Sequence, residues 1–265
     1  MLVAIDVGNT QTVIGLFAPG DGPAGSGNEL AHHWRVSTRE SSTADEVALQ
    51  LDQLIQLQGL DPAEVVTGIA VASVVPRLRA ALRDMTDRWF HVPTVIVEPG
   101  IKTGMPILYE NPREVGADRI ADAVAAFEAY GGPTVVIDFG TATTFEAVSE
   151  RGEYLGGTIV PGIEISLEAL FARASLLPRV ELIEATKSVI GKNTIESLQS
   201  GAVYGFAAQV DGLCARFEAE LGPCTVVATG GLAGLISPAS SAIDHYEPWL
   251  TLDGLRIIYG RNQRS

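Results

Sequence analysis

Two copies of one short pattern predict an α/β fold built by duplication. The first copy is Leu2-Val3-Ala4-Ile5-Asp6-Val7-Gly8-Asn9-Thr10, and the second is Val135-Val136-Ile137-Asp138-Phe139-Gly140-Thr141-Ala142-Thr143. Each is an apolar strand that runs into Asp-x-Gly and then into hydroxyl or amide residues. Each continues as a second strand-like run, Thr12–Phe17 after the first and Thr144–Val148 after the second. Strand and helix patterns alternate after both hairpins, which predicts a mixed sheet in each half. The repeat is spaced at about half the chain, too long for a solenoid and suited to a duplicated domain.

After the opening hairpin, Pro19–Asn28 is rich in Gly and Pro and reads as a surface loop. Helical patterns follow at Ala44–Leu57, Arg77–Trp89 and Arg119–Tyr130, with strand-like runs at Gly68–Val74 and Pro93–Val97. The second half adds helices around Glu164–Phe171 and Ile195–Leu221, a strand at Thr225–Ala228 and a final extended run at Leu255–Tyr259. The expected domains are residues 1–130 and 131–265.

Of the 265 residues, 46% are hydrophobic and 19% charged, a globular composition rather than a disordered one. The formal net charge of −14 would repel a phosphate backbone, so nucleic acid is not an expected partner. Were so acidic a protein to bind a small polyanion, it would be expected to do so through backbone N–H groups, a few placed cations and bound metal rather than a basic surface. Cys214 and Cys224 lack CxxC spacing, and His32, His33, His91 and His245 lack metal-ligand spacing, so neither a disulfide framework nor a zinc site is expected. The chain opens directly into an apolar strand, and no apolar run approaches the roughly 20 residues of a membrane span. A cytoplasmic location, away from the membrane, is the expectation.

Asp-x-Gly after a strand has a physical logic for nucleotide phosphates. Gly8 and Gly140 permit a tight turn, turn N–H groups and hydroxyls face phosphoryl oxygens, and the carboxylate can hold a hydrated cation. A single copy would read more simply as a common turn; two copies in matching context favour the phosphate reading. A third element, Val226-Val227-Ala228-Thr229-Gly230-Gly231-Leu232, ends a strand in paired glycines that could take a base or ribose against bare backbone, or be turn chemistry alone.

The order strand-DxG, strand-DxG, strand-TGG resembles the phosphate-1, phosphate-2, adenosine pattern of the acetate and sugar kinase, Hsp70 and actin superfamily. Within it the chain looks like type III pantothenate kinases. The similar stretches are Asp6-Val-Gly-Asn-Thr10, Thr43-Ala-Asp-Glu46, Asn111-Pro-Arg-Glu-Val-Gly-Ala-Asp-Arg119, Asp138-Phe-Gly-Thr-Ala-Thr-Thr144, Gly156-Gly-Thr-Ile-Val-Pro-Gly162, Gly191-Lys-Asn-Thr194 and Thr229-Gly-Gly231, in family order from end to end. The resemblance implies two duplicated ribonuclease H-like, actin-like ATPase domains with an interdomain nucleotide cleft. It also implies ATP-dependent phosphorylation of pantothenate to 4′-phosphopantothenate, the first step of coenzyme A biosynthesis.

The resemblance further implies site roles. Asp118 would be the general base, and Tyr109, Gly116, Ala117, Asp118, Arg119 and Thr194 would contact pantothenate. ATP phosphates would lie against Asp6, Val7, Gly8, Asn9, Thr10, Gln11, Thr12, Val13 and Thr141. Asp138 would hold potassium or ammonium, magnesium would travel with ATP, and the assembly would be a homodimer. Plainer readings stand beside these. Asp118 precedes an apolar-periodic run and could be a helix N-cap, Arg119 could be a solvated first-turn charge, and Tyr109 could be packing. Asn193 with Glu196 spells a capping box, which makes Thr194 the first helical residue. The chain departs from the family pattern at Asp122, where Asn is expected, at Glu146, where Asp is common, and at Ser41-Ser42, where basic residues are frequent.

The competing functional reading is a catalytically silent relative serving as a regulatory or binding protein. Intact Asp6, Asp118 and Asp138 argue against it. A phosphotransferase acting on acetate or a sugar is disfavoured by the end-to-end resemblance.

Overall fold

Leu2–Val7 (β1) is buried at every position except Asp6, as a central strand with both faces covered requires. In the computed structural model, which describes residues 1–20, 29–182 and 188–263, β1 pairs antiparallel with Gln11–Phe17 (β2), and β2 pairs antiparallel with Leu30–Ser37 (β3). On its other side β1 runs parallel to Gly68–Ser73 (β4), which runs parallel to Thr94–Ile96 (β5). The order is β3-β2-β1-β4-β5. Most of the loop expected at Pro19–Asn28 lies outside the described residues.

The second half repeats this arrangement. Thr134–Phe139 (β6) pairs antiparallel with Ala142–Val148 (β7), which pairs antiparallel with Tyr154–Pro161 (β8). Thr225–Thr229 (β9) runs parallel to β6, and His245–Tyr246 (β10) runs parallel to β9, giving the order β10-β9-β6-β7-β8. Equivalent strands occupy equivalent places, so the duplication read from two hairpins extends through both sheets.

Ala44–Gln56 (α1) begins at a capping box in which the Thr43 hydroxyl accepts from Glu46 N–H and the Glu46 carboxylate accepts from Thr43 N–H. Its buried residues Ala44, Ala48, Leu51 and Ile55 form one helical stripe. A four-residue helix, Pro62–Val65 (α2), precedes β4. Pro76–Met85 (α3) buries Leu78, Leu82 and Met85 against the same sheet face and continues as a π-helical turn, Thr86–Phe90. Ala117–Tyr130 (α4) follows a 3-10 turn at Pro112–Glu114. In the second half, Ile163–Arg173 (α5), Thr194–Leu221 (α6) and Ala233–Ile236 (α7) pack Ile163, Ala207, Val210 and Ile236 against Ile137, Phe145 and Ala228.

Several sequence expectations need correction. The run Leu255–Tyr259 is not extended; it lies within a helix, Leu250–Gln263 (α8). Its β-branched and aromatic residues suggested a strand, but Leu252, Leu255 and Ile258 are buried at a spacing of three, so packing of a helical face overrides local propensity. Strands β3 and β8 were not anticipated as elements. The alternation Leu30, His32, Trp34, Val36 facing inward carries the signal for β3. Contacts divide the chain into Met1–Ala125 with Thr251–Ser265, and Ala126–Leu250. Nearly all of α8 therefore groups with Met1–Ala125.

Both cysteines are free. Burial, then the Cys224 thiol and nearby carboxylates, pushes the Cys214 thiol up to about 12.

Within the first unit, α4 and α8 meet at Gly254, where an added Cβ would overlap the carbonyl oxygen of Ala121. Backbone cannot rotate aside as a side chain can. Gly254→Ala is expected to destabilise by about 1–3 kcal/mol as an overpacked contact. Gly212→Ala, on α6 with only the end of Arg216 nearby, is expected to stabilise by about 0.5–1 kcal/mol. Thermal denaturation followed by circular dichroism should move in opposite directions for the two variants; equal shifts would contradict the close approach at Gly254.

Candidate active site

The first phosphate-type turn closes β1 onto β2. Asp6 is half-buried opposite Val13, Val7 is buried opposite Thr12, and the loop between them is Gly8-Asn9-Thr10-Gln11. Gly8 N–H donates to the Gln11 carbonyl at 3.0 Å. Asn9, Thr10 and Gln11 form an exposed tip. Thr38, immediately beyond β3, braces this turn. Its N–H donates to the Thr10 carbonyl at 3.0 Å, and its hydroxyl bonds the Thr12 hydroxyl at 2.8 Å. Arg35 Nη1 donates to Gln11 Oε1 at 2.9 Å. The result is a braced loop whose amide and hydroxyl residues Asn9, Thr10 and Gln11 are exposed a few residues from the Asp6 carboxylate, residue types suited to a metal-bound polyanion.

Elsewhere in the first unit, Val115 is buried and anchors the entry to α4. Ile120 N–H donates to the Gly116 carbonyl at 3.1 Å, so Gly116 stands where an N-cap residue would, and Asp118 is already the second residue of the helix. The expectation that Asp118 could be the N-cap is thereby corrected. Its Oδ1 accepts the Arg119 backbone N–H at 2.8 Å, folding the carboxylate back over the first turn. A side chain at Gly116 would overlap that same Oδ1, so glycine leaves the space the carboxylate fills. Gly116, Ala117, Asp118 and Arg119 are all half-buried and contiguous; Tyr109, also half-buried, lies on the preceding loop.

In the second unit three sequence motifs meet at one turn. Asp138 lies opposite Thr144 on β7 and Thr229 on β9. Gly140 N–H donates to the Ala142 carbonyl at 3.1 Å, closing a loop one residue shorter than its counterpart in the first unit. Gly230 has φ +94°, and a Cβ there would strike Asp138 Oδ1 and come within 2.6 Å of Phe139 N. A Cβ at Gly162 would overlap the Thr141 carbonyl oxygen and come within 2.6 Å of that of Gly140. The paired-glycine motif and the Gly156–Gly162 motif thus both press bare backbone onto the Asp138–Thr141 turn, with Thr141 exposed at its tip.

Thr194 stands apart as the exposed first residue of α6. Asn193 Oδ1 caps the helix by accepting Glu196 N–H at 2.9 Å, but the Glu196 carboxylate takes the Lys192 N–H at 2.7 Å. The expected reciprocal box is therefore displaced by one residue. Glu146, one of the departures from the family pattern, is 1% exposed and accepts from the Tyr154 hydroxyl. Among the described residues no group of three or more His, Cys, Asp and Glu could hold a metal ion, and His245 is stacked on Tyr130 with ring centres 4.2 Å apart. The Tyr130 phenol is pushed up to about 12 by burial and by its bond to Glu247.

Sequence reasoning missed Thr38 and Gly162. Thr38 becomes legible only once β3 is recognised, because it is the strand that carries it beside the turn. Gly162 sat in a noted motif, but what it approaches depends on tertiary contact.

Residues 2–216 match the family model described as type III pantothenate kinase. A type III pantothenate kinase of Myxococcus xanthus is 55% identical over 266 residues, covering 100% of both chains. One of Moorella thermoacetica is 55% identical over 263 residues, covering 99% of this chain and 100% of its own. Among solved structures, a conserved putative Baf family transcriptional activator from Campylobacter jejuni aligns with a TM-score of 0.55 at 17% identity, covering 99% of this chain and 98% of its own, which is a likeness of fold.

Proposed function

The chain belongs to the type III pantothenate kinase family, kinases that phosphorylate pantothenate with ATP in coenzyme A biosynthesis, and we propose that within this activity Asp118 is the general base. The observation that carries this reading is the position of the carboxylate. It is not consumed as an N-cap, and it is oriented by the Arg119 N–H on a half-buried Gly116–Arg119 segment. Asp118 would take the proton of the pantothenate primary hydroxyl as that oxygen attacks the γ-phosphorus, with ADP leaving. The planar donor fork of Arg119 suits the pantothenate carboxylate. Tyr109, Gly116 and Ala117 would complete the contacts, with Thr194 reaching substrate from α6.

The turn spanning Asp6–Val13 and Thr141 would bind ATP phosphates. A kinase of this family uses ATP with a divalent metal, here magnesium on the phosphates. Asp138 would hold a potassium or ammonium ion. The donors at its turn are one carboxylate and backbone carbonyls, an all-oxygen set suited to such cations. A bound cation would supply neutralisation between the carboxylate and phosphate oxygens. The homodimer reading is supported by large apolar side chains exposed along one stretch of the second unit: Leu155, Ile159, Ile165, Leu170, Leu176 and Ile195. No helix among the described residues is long and apolar enough to cross a membrane.

Asp118→Asn is expected to lower kcat by about 10²-fold or more with an unchanged circular dichroism spectrum, since the amide cannot accept the proton. Retention of most of the activity would remove the assignment. Asp138→Ala should blunt the potassium dependence of the initial rate and weaken ATP binding measured by calorimetry, while pantothenate binding changes little. An unaltered potassium response, or full wild-type activity in sodium alone, would exclude Asp138 as the ligand. For the assembly, light scattering should give twice the chain mass, with specific activity falling on dilution; an active monomer would end the dimer reading.

A further inference from the structure

The first unit contains a cavity of about 500 Å³ between the end of β3 and helix α1. That volume lies in the range that takes small organic ligands. Its floor is apolar and almost fully buried, formed by Ile5, Val7, Ile14 and Leu51. Its more exposed lining residues include the polar Ser37, Ser42 and Gln50. Two charged side chains line it. The Glu46 carboxylate is engaged by the backbone N–H of Thr43 at 2.8 Å and by its hydroxyl at 3.2 Å. Arg39, exposed at the mouth, is the only cation among the lining residues. An apolar floor with a single arginine among the lining residues matches a ligand with an aliphatic body and one anionic head, because guanidinium pairs with carboxylate in a bidentate fork.

We propose that this cavity binds an aliphatic monocarboxylate and that its occupancy tightens ATP binding through Thr38. The coupling has a defined path. Ser37 and Arg39, both lining the cavity, flank Thr38, whose two bonds, to the Thr10 carbonyl and the Thr12 hydroxyl, hold the first phosphate turn. Thr12 itself also lines the cavity. A ligand seated between α1 and the end of β3 favours the braced arrangement over looser ones. The turn is then presented to ATP already ordered, and ATP in return favours the ligand, since coupling between two binding equilibria is reciprocal. This second half rests on the assignment of Asp6–Val13 to ATP; the binding itself does not.

Octanoate is a suitable probe, with octanol as its uncharged counterpart. Calorimetry on the intact protein should show one saturable octanoate site per chain, about tenfold weaker in Arg39→Ala and absent in Gln50→Trp, where an indole on the exposed face of α1 fills the mouth. Octanol should bind more weakly than octanoate to the wild type. Saturating octanoate should lower the KM for ATP by about two- to fivefold without changing that for pantothenate, and this effect should shrink in Thr38→Val, which loses the bond to the Thr12 hydroxyl and keeps the N–H bond to Thr10, although octanoate still binds. The absence of saturable octanoate binding to active protein would overturn the proposal, as would equal binding by octanol or undiminished binding in Gln50→Trp. A KM effect undiminished in Thr38→Val would overturn the coupling path. Because the octanoate titration requires neither ATP nor turnover, failure of the phosphate-turn assignment would appear only in the KM measurement and leave the binding result standing.

Discussion

Bare backbone pressed against Asp138 holds the second unit's motifs in one place. β6 is buried at every position except Asp138, which is half-buried, and the Asp138 carboxylate lies close against the backbone of Gly230. Gly230 approaches from β9 and Gly162 from the end of β8, each closer than any Cβ would permit. Part of the spelling of the motifs follows from this crowding: at the first glycine of Thr-Gly-Gly and the glycine of Ile-Val-Pro-Gly, backbone atoms occupy the space a side chain needs. The first unit reaches a similar end by other means, with the hydroxyl and N–H of Thr38 bracing its turn from the side.

What was legible in the sequence follows from how local the cause is. The hairpins at β1/β2 and β6/β7 announce themselves because a buried strand running into Asp-x-Gly needs only short-range chemistry. Helix α1 is read from its apolar period, and the capping box that starts it closes within four residues. By contrast, α8 contains Leu-Arg-Ile-Ile-Tyr, whose local preference is extended, and only its burial at a spacing of three against the first unit makes it helical. Asp118 illustrates the same divide within the site: an Asp before an apolar run reads as a cap, but the helix begins at Ala117, two residues too early for that. The chemical role proposed for Asp118 comes from the resemblance to the kinase family; the local pattern alone left it open.

Duplication gave the two halves one strand order but not one surface. The first turn is a residue longer and carries an exposed tip braced by side chains; the second is tighter and sealed by glycines. The connections between equivalent strands have also diverged. Where the first half inserts the short α1 and α2 between its third and fourth strands, the second half inserts α5 and the 28-residue α6, and the exposed apolar side chains gather along that stretch. The strand order of the sheets was kept while the connections between strands changed.

The first unit is discontinuous along the chain: its last helix arrives after the whole of the second unit. During synthesis from the amino terminus, the sheet of the first half can form once β5 has emerged, but the face that receives Leu252, Leu255 and Ile258 stays open until those residues leave the ribosome. The second unit has no such wait, since all of its strands are made by Tyr246. The half that begins first is completed last, and a nascent or truncated chain ending before α8 would display an apolar sheet face to every chaperone and neighbouring polypeptide it meets.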